Sequence, residues 1–193
     1  MKRRTMLAAM AGGAFLAAAP IPRPAGEFGF EVPGGKQVLL TAHRGKAVMM
    51  AFFSTTCPHC QDTARMMQRL QNEYGPRGFQ ALGVCFNEMA KMLTPEFIQH
   101  QGLSFPVGYA LSDQVLTYLQ HPAGEIPYVP MLVFIDKQGV IQGQFTAGAD
   151  KDFFKDGATQ EARSRAMIEK LLGGRATKPM AAPAKKAATK KAS

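Results

Sequence analysis

The sequence predicts an α/β sandwich with a mixed central sheet. Three observations carry this: an apolar run without alternation at 46–53, a helical pattern that begins directly after it, and two strand patterns at 131–145 separated only by turn residues. A continuous apolar run is the mark of a strand covered on both faces. Strands that alternate with helices lay those helices over the sheet. At 193 residues the chain holds one domain of ordinary size.

The elements follow in order. "FGFEVPGGKQVLL" (28–40) reads as two short strands around Pro33-Gly34-Gly35, whose turn chemistry suits a hairpin. "KAVMMAFF" (46–53) is the central strand. Over 58–74, Cys60, Ala64, Met67, Leu70 and Tyr74 recur at helical spacing while Gln61, Arg65, Gln68 and Arg69 fill the other side, so an amphipathic helix is predicted, stopped at Gly75-Pro76. "FQALGVCF" (79–86) is another strand. Thr94-Pro95-Glu96 predicts a helix starting there, with a cap and Pro95 at its first position, and 112–119 predicts a further short helix. "MLVFID" (131–136) and "GVIQGQF" (139–145) form two strands around Lys137-Gln138-Gly139. A last helix falls within 150–172, interrupted or delayed by Gly157.

The flanks differ in kind. Lys2-Arg3-Arg4 followed by a soft apolar stretch over 5–19 reads as an export signal. Arg3-Arg4 with Thr5, Met6 and Leu7 also resembles a twin-arginine signal. Ala17-Ala18-Ala19 satisfies the small-residue rule for cleavage but Pro20 suits it poorly, so secretion and retention as a short membrane anchor both stay open. Residues 173–193 are rich in Lys, Ala and Pro with almost no large apolar side chain, too little to offset ordering entropy, so a disordered tail is expected. The partition is therefore a leader over 1–26, a domain over 27–172 and a tail over 173–193. Leader and tail hold ten basic groups and no acids, which leaves 13 basic and 14 acidic groups in the domain and places the formal charge of +9 outside it. That distribution excludes a nucleic-acid groove on the domain. The expected location is periplasmic or otherwise extracytoplasmic, where disulfides persist.

Cys57-Pro58-His59-Cys60 falls at the C-terminal end of the central strand, where the next helix begins and where open α/β sheets place their sites. A two-residue gap serves metal clasps, structural disulfides and redox couples alike. A structural zinc needs four ligands, and the remaining candidates are a lone Cys85 with His43, His100 and His121 scattered along the chain. Covalent haem needs His after the second cysteine, where Gln61 stands. The redox reading has a physical basis: a sulfur at a helix N-terminus faces unpaired backbone N–H groups and the positive end of the dipole, which favours the thiolate. His59 can add a hydrogen bond or a positive charge. Cys57 is then the attacking thiol and Cys60, one turn in on the apolar face, the resolving one, with no cofactor and no metal. Cys85 reads as a small buried apolar residue.

Taken with "RGKAVMMAFFSTTCPHC" and "IPYVPMLVFIDKQGVI", the motif resembles the thioredoxin superfamily over nearly all of 27–172, and within it the exported TlpA/ResA-like thiol-disulfide oxidoreductases. The resemblance implies a thioredoxin-like three-layer sandwich with an N-terminal hairpin, acting on protein thiols or disulfides with a redox partner protein. It also implies a cis Val129-Pro130 bond, with the Val129 backbone beside the cysteines to pair with an extended substrate chain. Phe52, Pro58, Tyr128, Val129 and Pro130 are the expected apolar rim of the substrate site. Pro58-His59 between the cysteines resembles DsbA-like oxidases, yet 70 residues from Cys60 to Pro130 leave no room for their helical insertion. Ala51 stands where many relatives keep a buried acid. Two further readings remain: a thiol peroxidase of the peroxiredoxin type, whose Thr would stand at Ser54, and a copper-handling protein built on Cys57, His59, Cys60 and the 12 methionines.

Overall fold

Every side chain from Ala47 to Phe53 is buried, and that burial makes the segment the middle of the sheet. The computed structural model describes residues 20–173; the expected leader up to residue 19 and the expected tail from residue 174 lie outside the described residues. Strand β4 (Ala47–Phe53) alternates its side chains between two cores. Ala47, Met49, Ala51 and Phe53 enter one core, and Val48, Met50 and Phe52 the other. Strand β5 (Phe79–Cys85) pairs with it in parallel, bringing Cys85 opposite Phe53, and β7 (Met131–Ile135) pairs antiparallel, bringing Met131 opposite Phe52.

Five shorter or outer strands complete the sheet: β1 (Arg23–Pro24), β2 (Gly29–Glu31), β3 (Gln37–Leu39), β6 (Val107–Tyr109) and β8 (Val140–Thr146). The order is β1-β8-β7-β4-β5-β6-β2-β3, mixed as expected. Helices α1 (Pro58–Tyr74), α2 (Ala90–Gln101) and α4 (Gly157–Leu172) cover one face, where Leu70, Phe97 and Ile168 meet β4 and β5. Helix α3 (Ser112–Leu119) covers the other face together with Phe28, Phe30 and Leu40. The expected helix over 58–74 matches α1, with Pro58 in the first turn and Cys60, Ala64, Met67, Leu70 and Tyr74 all buried. Gly157 delays α4, which the Asp156 carboxylate caps by accepting from the Thr159 N–H at 2.7 Å.

Two expectations need correction. Helix α2 starts at Ala90, not at Thr94. Thr94 sits in the interior with its hydroxyl donating to the Ala90 carbonyl at 2.7 Å, and Pro95 removes the bond that would reach the Lys91 carbonyl. Burial of Ala90 and Phe97 against the sheet outweighs the local preference for starting at a proline. The folded part also begins earlier than residue 27. Arg23 and Pro24 pair with Ile141 and Val140 at the edge of β8, the Ala25 N–H donates to Gly139, and the Arg23 guanidinium donates to Gln144 Oε1 at 2.9 Å. A two-residue strand that follows one proline and ends on another has no periodicity to announce it, and β6, at three residues, has little more.

Strands β2 and β6 approach closely because residue 108 is glycine. A Cβ there would lie 2.2 Å from the Glu31 carbonyl oxygen and 2.7 Å from the Phe30 ring. Gly108→Ala is expected to push the N-terminal hairpin off the sheet and cost about 1–3 kcal/mol by overpacking, read as a lower urea midpoint with faster amide exchange at Phe30 and Glu31. A midpoint equal to wild type would contradict this register.

Candidate active site

The C-terminal end of β4 delivers residues 54–57 into a loop that is held from several sides. The Cys57 N–H donates to the Ser54 carbonyl at 3.2 Å, and the Phe86 N–H to Phe53 at 3.2 Å. Asn87, just beyond β5, accepts from the Thr55 N–H through Oδ1 at 2.9 Å and donates from Nδ2 to Thr55 Oγ1 at 3.1 Å and to the Glu88 carbonyl at 2.8 Å. Gln61 reaches back from α1 to the Thr55 carbonyl at 3.2 Å. Thr55, Gln61 and Asn87 therefore belong to the site although sequence reading gave them no role. Their signal is weak: a polar residue directly after a buried strand is common, and only the pairing of β5 with β4 makes Asn87 a neighbour of Thr55.

The two cysteines occupy different surroundings because they are one turn apart. Cys57 is the residue before the first turn of α1, with extended backbone at φ −83° and ψ 120°, and is half-buried. Its sulfur lies at the positive end of the helix. Cys60 faces inward and is fully buried. Burial pushes the Cys60 thiol far above its ordinary range; the Ser54 backbone N–H works against this, and the neighbouring Cys57 sulfur adds to it. Cys85, likewise sealed, is pushed up to about 12 by burial, opposed by a hydrogen bond with Thr94. All three cysteines are unbridged.

His59 is exposed and makes no hydrogen bond or ion pair with the described residues, so any influence on Cys57 acts through space as charge. Among the described residues no three of His, Cys, Asp and Glu converge as a ligand set, and the grouping of Cys57, His59 and Cys60 required for copper is not made. Ala51 is buried between Gly83 and Leu132, which offers no proton acceptor beneath the cysteines.

Antiparallel pairing brings the start of β7 to the same edge. Because Met131 lies opposite Phe52, Val129 and Pro130 arrive beside the cysteine loop. The Val129-Pro130 bond is cis. Val129 and Cys57 pack on the rim of the same core, and Pro130 is buried with its carbonyl accepting from the Ala147 N–H at 3.3 Å. The Val129 N–H and C=O have no partner among the described residues. Tyr128 is 57% exposed, and Pro58 is exposed beside Cys57. Cys57, Pro58, His59, Cys60, Tyr128, Val129 and Pro130 thus meet at one edge. Phe52 does not: it is fully buried beneath, its ring 5.6 Å from Phe28, because its place in β4 turns it into the core.

A cysteine pair at the end of a central strand, facing a cis-proline across a four-helix mixed sheet, defines a thioredoxin-like protein. Residues 21–144 match the AhpC/TSA family, and the chain belongs to that family. It is 31% identical over 121 residues to the thiol-disulfide oxidoreductase ResA of Geobacillus thermodenitrificans, covering 63% of this chain and 66% of that one. Against the ResA of Halalkalibacterium halodurans it is 28% identical over 122 residues, again covering 63% and 66%. The chain therefore spans just under two thirds of the length of these relatives. Among solved structures it is similar to a thiol:disulfide interchange protein of the thioredoxin family from Chlorobium tepidum TLS, with a TM-score of 0.63 and 26% identity over 81% of this chain and all of that one. A thiol:disulfide interchange protein from Bacteroides sp. shares the fold, with a TM-score of 0.61 and 18% identity over 79% and 90% of the two chains.

The unequal burial makes a direct prediction. Iodoacetamide at pH 8 is expected to label the reduced native protein on Cys57 alone, since burial keeps Cys60 and Cys85 protonated and out of reach; denaturant should open all three. Mass spectrometry of the peptides checks this, and comparable native labelling of Cys60 would contradict the assignment.

Proposed function

We propose that the protein is an extracytoplasmic thiol-disulfide oxidoreductase that exchanges disulfides with protein substrates through Cys57 and Cys60. The observation that carries the reading is the pair itself: a reachable sulfur at a helix N-terminus with a sealed sulfur one turn behind it, next to an unpaired backbone segment at Val129. The relatives named as thiol-disulfide oxidoreductases support it.

Chemistry follows from the two positions. With the pair oxidised, a substrate thiolate attacks the Cys57 sulfur; the Cys57–Cys60 bond breaks, Cys60 leaves as a thiolate and takes a proton, and a mixed disulfide forms. A second substrate thiolate then attacks the substrate sulfur and releases Cys57 as a thiolate. With the pair reduced, the Cys57 thiolate attacks a substrate disulfide and Cys60 resolves the product. A redox partner protein resets the couple in either direction. Val129 pairs with the extended substrate backbone while Pro58, Tyr128 and Pro130 supply its apolar surroundings. No cofactor takes part. The Lys2-Arg3-Arg4 leader supports export, and a retained leader would tether the domain; no described helix is long and apolar enough to cross a membrane.

Cys60→Ser is expected to accumulate mixed disulfides with extracytoplasmic proteins through Cys57, visible on non-reducing gels, whereas Cys57→Ser is not. Trapping through Cys60 alone would reverse the roles. His59 bears on the reduction potential: where it places a positive charge near Cys57, that charge stabilises the thiolate of the reduced form and leaves the disulfide untouched. His59→Pro should therefore make the couple more reducing, with about 30 mV for each 1.4 kcal/mol lost, measured by equilibration with glutathione. An unchanged potential removes the argument for an oxidase and places the protein with the reductants.

A further inference from the structure

Thr55 is the buried member of the cysteine loop, 7% exposed between half-buried Ser54 and exposed Thr56. Each of its polar groups meets a side chain from another part of the chain. Its N–H donates to Asn87 Oδ1 at 2.9 Å, its hydroxyl accepts from Asn87 Nδ2 at 3.1 Å, and its carbonyl accepts from Gln61 Nε2 at 3.2 Å. Asn87 is fixed in turn. Its Nδ2 also donates to the Glu88 carbonyl at 2.8 Å, and its own carbonyl accepts from the Ala90 N–H at 3.0 Å where α2 starts. An ordinary surface loop leaves such groups to water; here two separate elements converge on one residue and fix its neighbours with it.

The neighbour with chemical consequence is Ser54. Its carbonyl accepts from the Cys57 N–H at 3.2 Å, and its N–H donates to the Cys60 sulfur, where it favours the thiolate against burial. Cys60 belongs to the core that holds Phe53, Ala64 and Met67, and Ala51, between Gly83 and Leu132, offers no carboxylate there. In the exchange a substrate thiolate attacks the Cys57 sulfur, the Cys57–Cys60 bond breaks, and its electron pair stays on Cys60 until a proton arrives. Negative charge thus develops on a sealed sulfur. A fixed donor aimed at that sulfur acts as the donors of an oxyanion hole act.

We infer that Asn87 is a positioning residue for this step: by clamping Thr55 it holds the Ser54 N–H on the Cys60 sulfur and so stabilises Cys60 as the leaving group. Gln61 supports the same placement from α1. The clamp ties the loop to the segment after β5, 32 residues away in the chain, and it does so with neutral groups only. Cys57 is held differently, by α1 itself, through the Gln61 N–H that donates to the Cys57 carbonyl at 3.1 Å. Loss of Asn87 therefore weakens the departure of Cys60 and spares the reactivity of a free Cys57. The inference rests on the redox reading, because only exchange makes Cys60 a leaving group.

The test uses the full-length protein in two reactions at one pH: reduction of the oxidised form by dithiothreitol, and alkylation of Cys57 in the reduced form by iodoacetamide, both followed by mass spectrometry after acid quenching. Asn87→Ala is expected to be reduced about 10-fold more slowly than wild type, less than the loss from deleting a donor outright, because the N–H remains and only its placement loosens. Alkylation of its Cys57 should stay within about 2-fold of wild type. A merely structural role does not give this split, since a loosened loop changes both rates together. Thr55→Val removes the hydroxyl that Asn87 reaches and keeps the proposal refutable where Asn87→Ala does not fold. It should slow reduction about 3-fold, the scale of one neutral hydrogen bond, and Thr55→Ser should restore the wild-type rate. Reduction of either folded variant at the wild-type rate overturns the proposal, as does a loss of equal size in both reactions. A wild-type protein that alkylates at Cys57 but forms no Cys57–Cys60 disulfide on oxidation overturns the redox reading instead.

Discussion

The sealing of β4 on both faces is the constraint on which the rest of the structure depends. Seven consecutive buried residues leave no solvent face, so the strand needs α1, α2 and α4 on one side and α3 with the N-terminal segment on the other. They also need a paired strand at each edge. Parallel β5 sets Cys85 opposite Phe53, and antiparallel β7 sets Met131 opposite Phe52. Three chain segments therefore meet where β4 ends: the cysteine loop, Asn87 beyond β5, and Val129-Pro130 before β7. The site is the place where these three registers coincide.

The division of labour between the sulfurs follows from helix geometry. A residue that caps a helix looks outward along the axis, and one three positions later on the same side looks into the core. Cys57 and Cys60 differ in exposure for that reason, and burial pushes the Cys60 thiol up. Keeping the loop in place falls to neutral groups. The Asn87 amide satisfies the backbone and hydroxyl of Thr55, and a buried N–H left without a partner costs about 1–3 kcal/mol. The absence of an acid at Ala51 means that the described interior beneath the motif shapes the site by packing and backbone hydrogen bonds.

Substrate contact has a parallel logic. Pro130 carries no N–H, and its carbonyl is bonded to Ala147, so the sheet closes on the β8 side. One residue earlier, the Val129 N–H and C=O have no partner among the described residues. In the proposed exchange such a backbone segment at the entrance to a strand is a template for β-pairing by a guest chain.

Much of this was legible in the residues. The unalternating run at 46–53, the 3.6-residue spacing after Pro58, the Pro-Gly-Gly hairpin and the cysteine pair at a strand-to-helix junction are local patterns, and local patterns report burial and backbone preference directly. They determined the central strands, α1, the final hairpin and the two cysteines. Tertiary structure alone decided where α2 begins, because burying Ala90 and Phe97 outweighs the preference of Thr94-Pro95 for a helix start. It also decided that Arg23 and Pro24 join the sheet, that Phe52 faces the core rather than the rim, and that Asn87 holds Thr55 across 32 residues. In each case the deciding energy comes from groups brought together by strand register, and register is a property of pairs of segments that no single stretch of sequence contains.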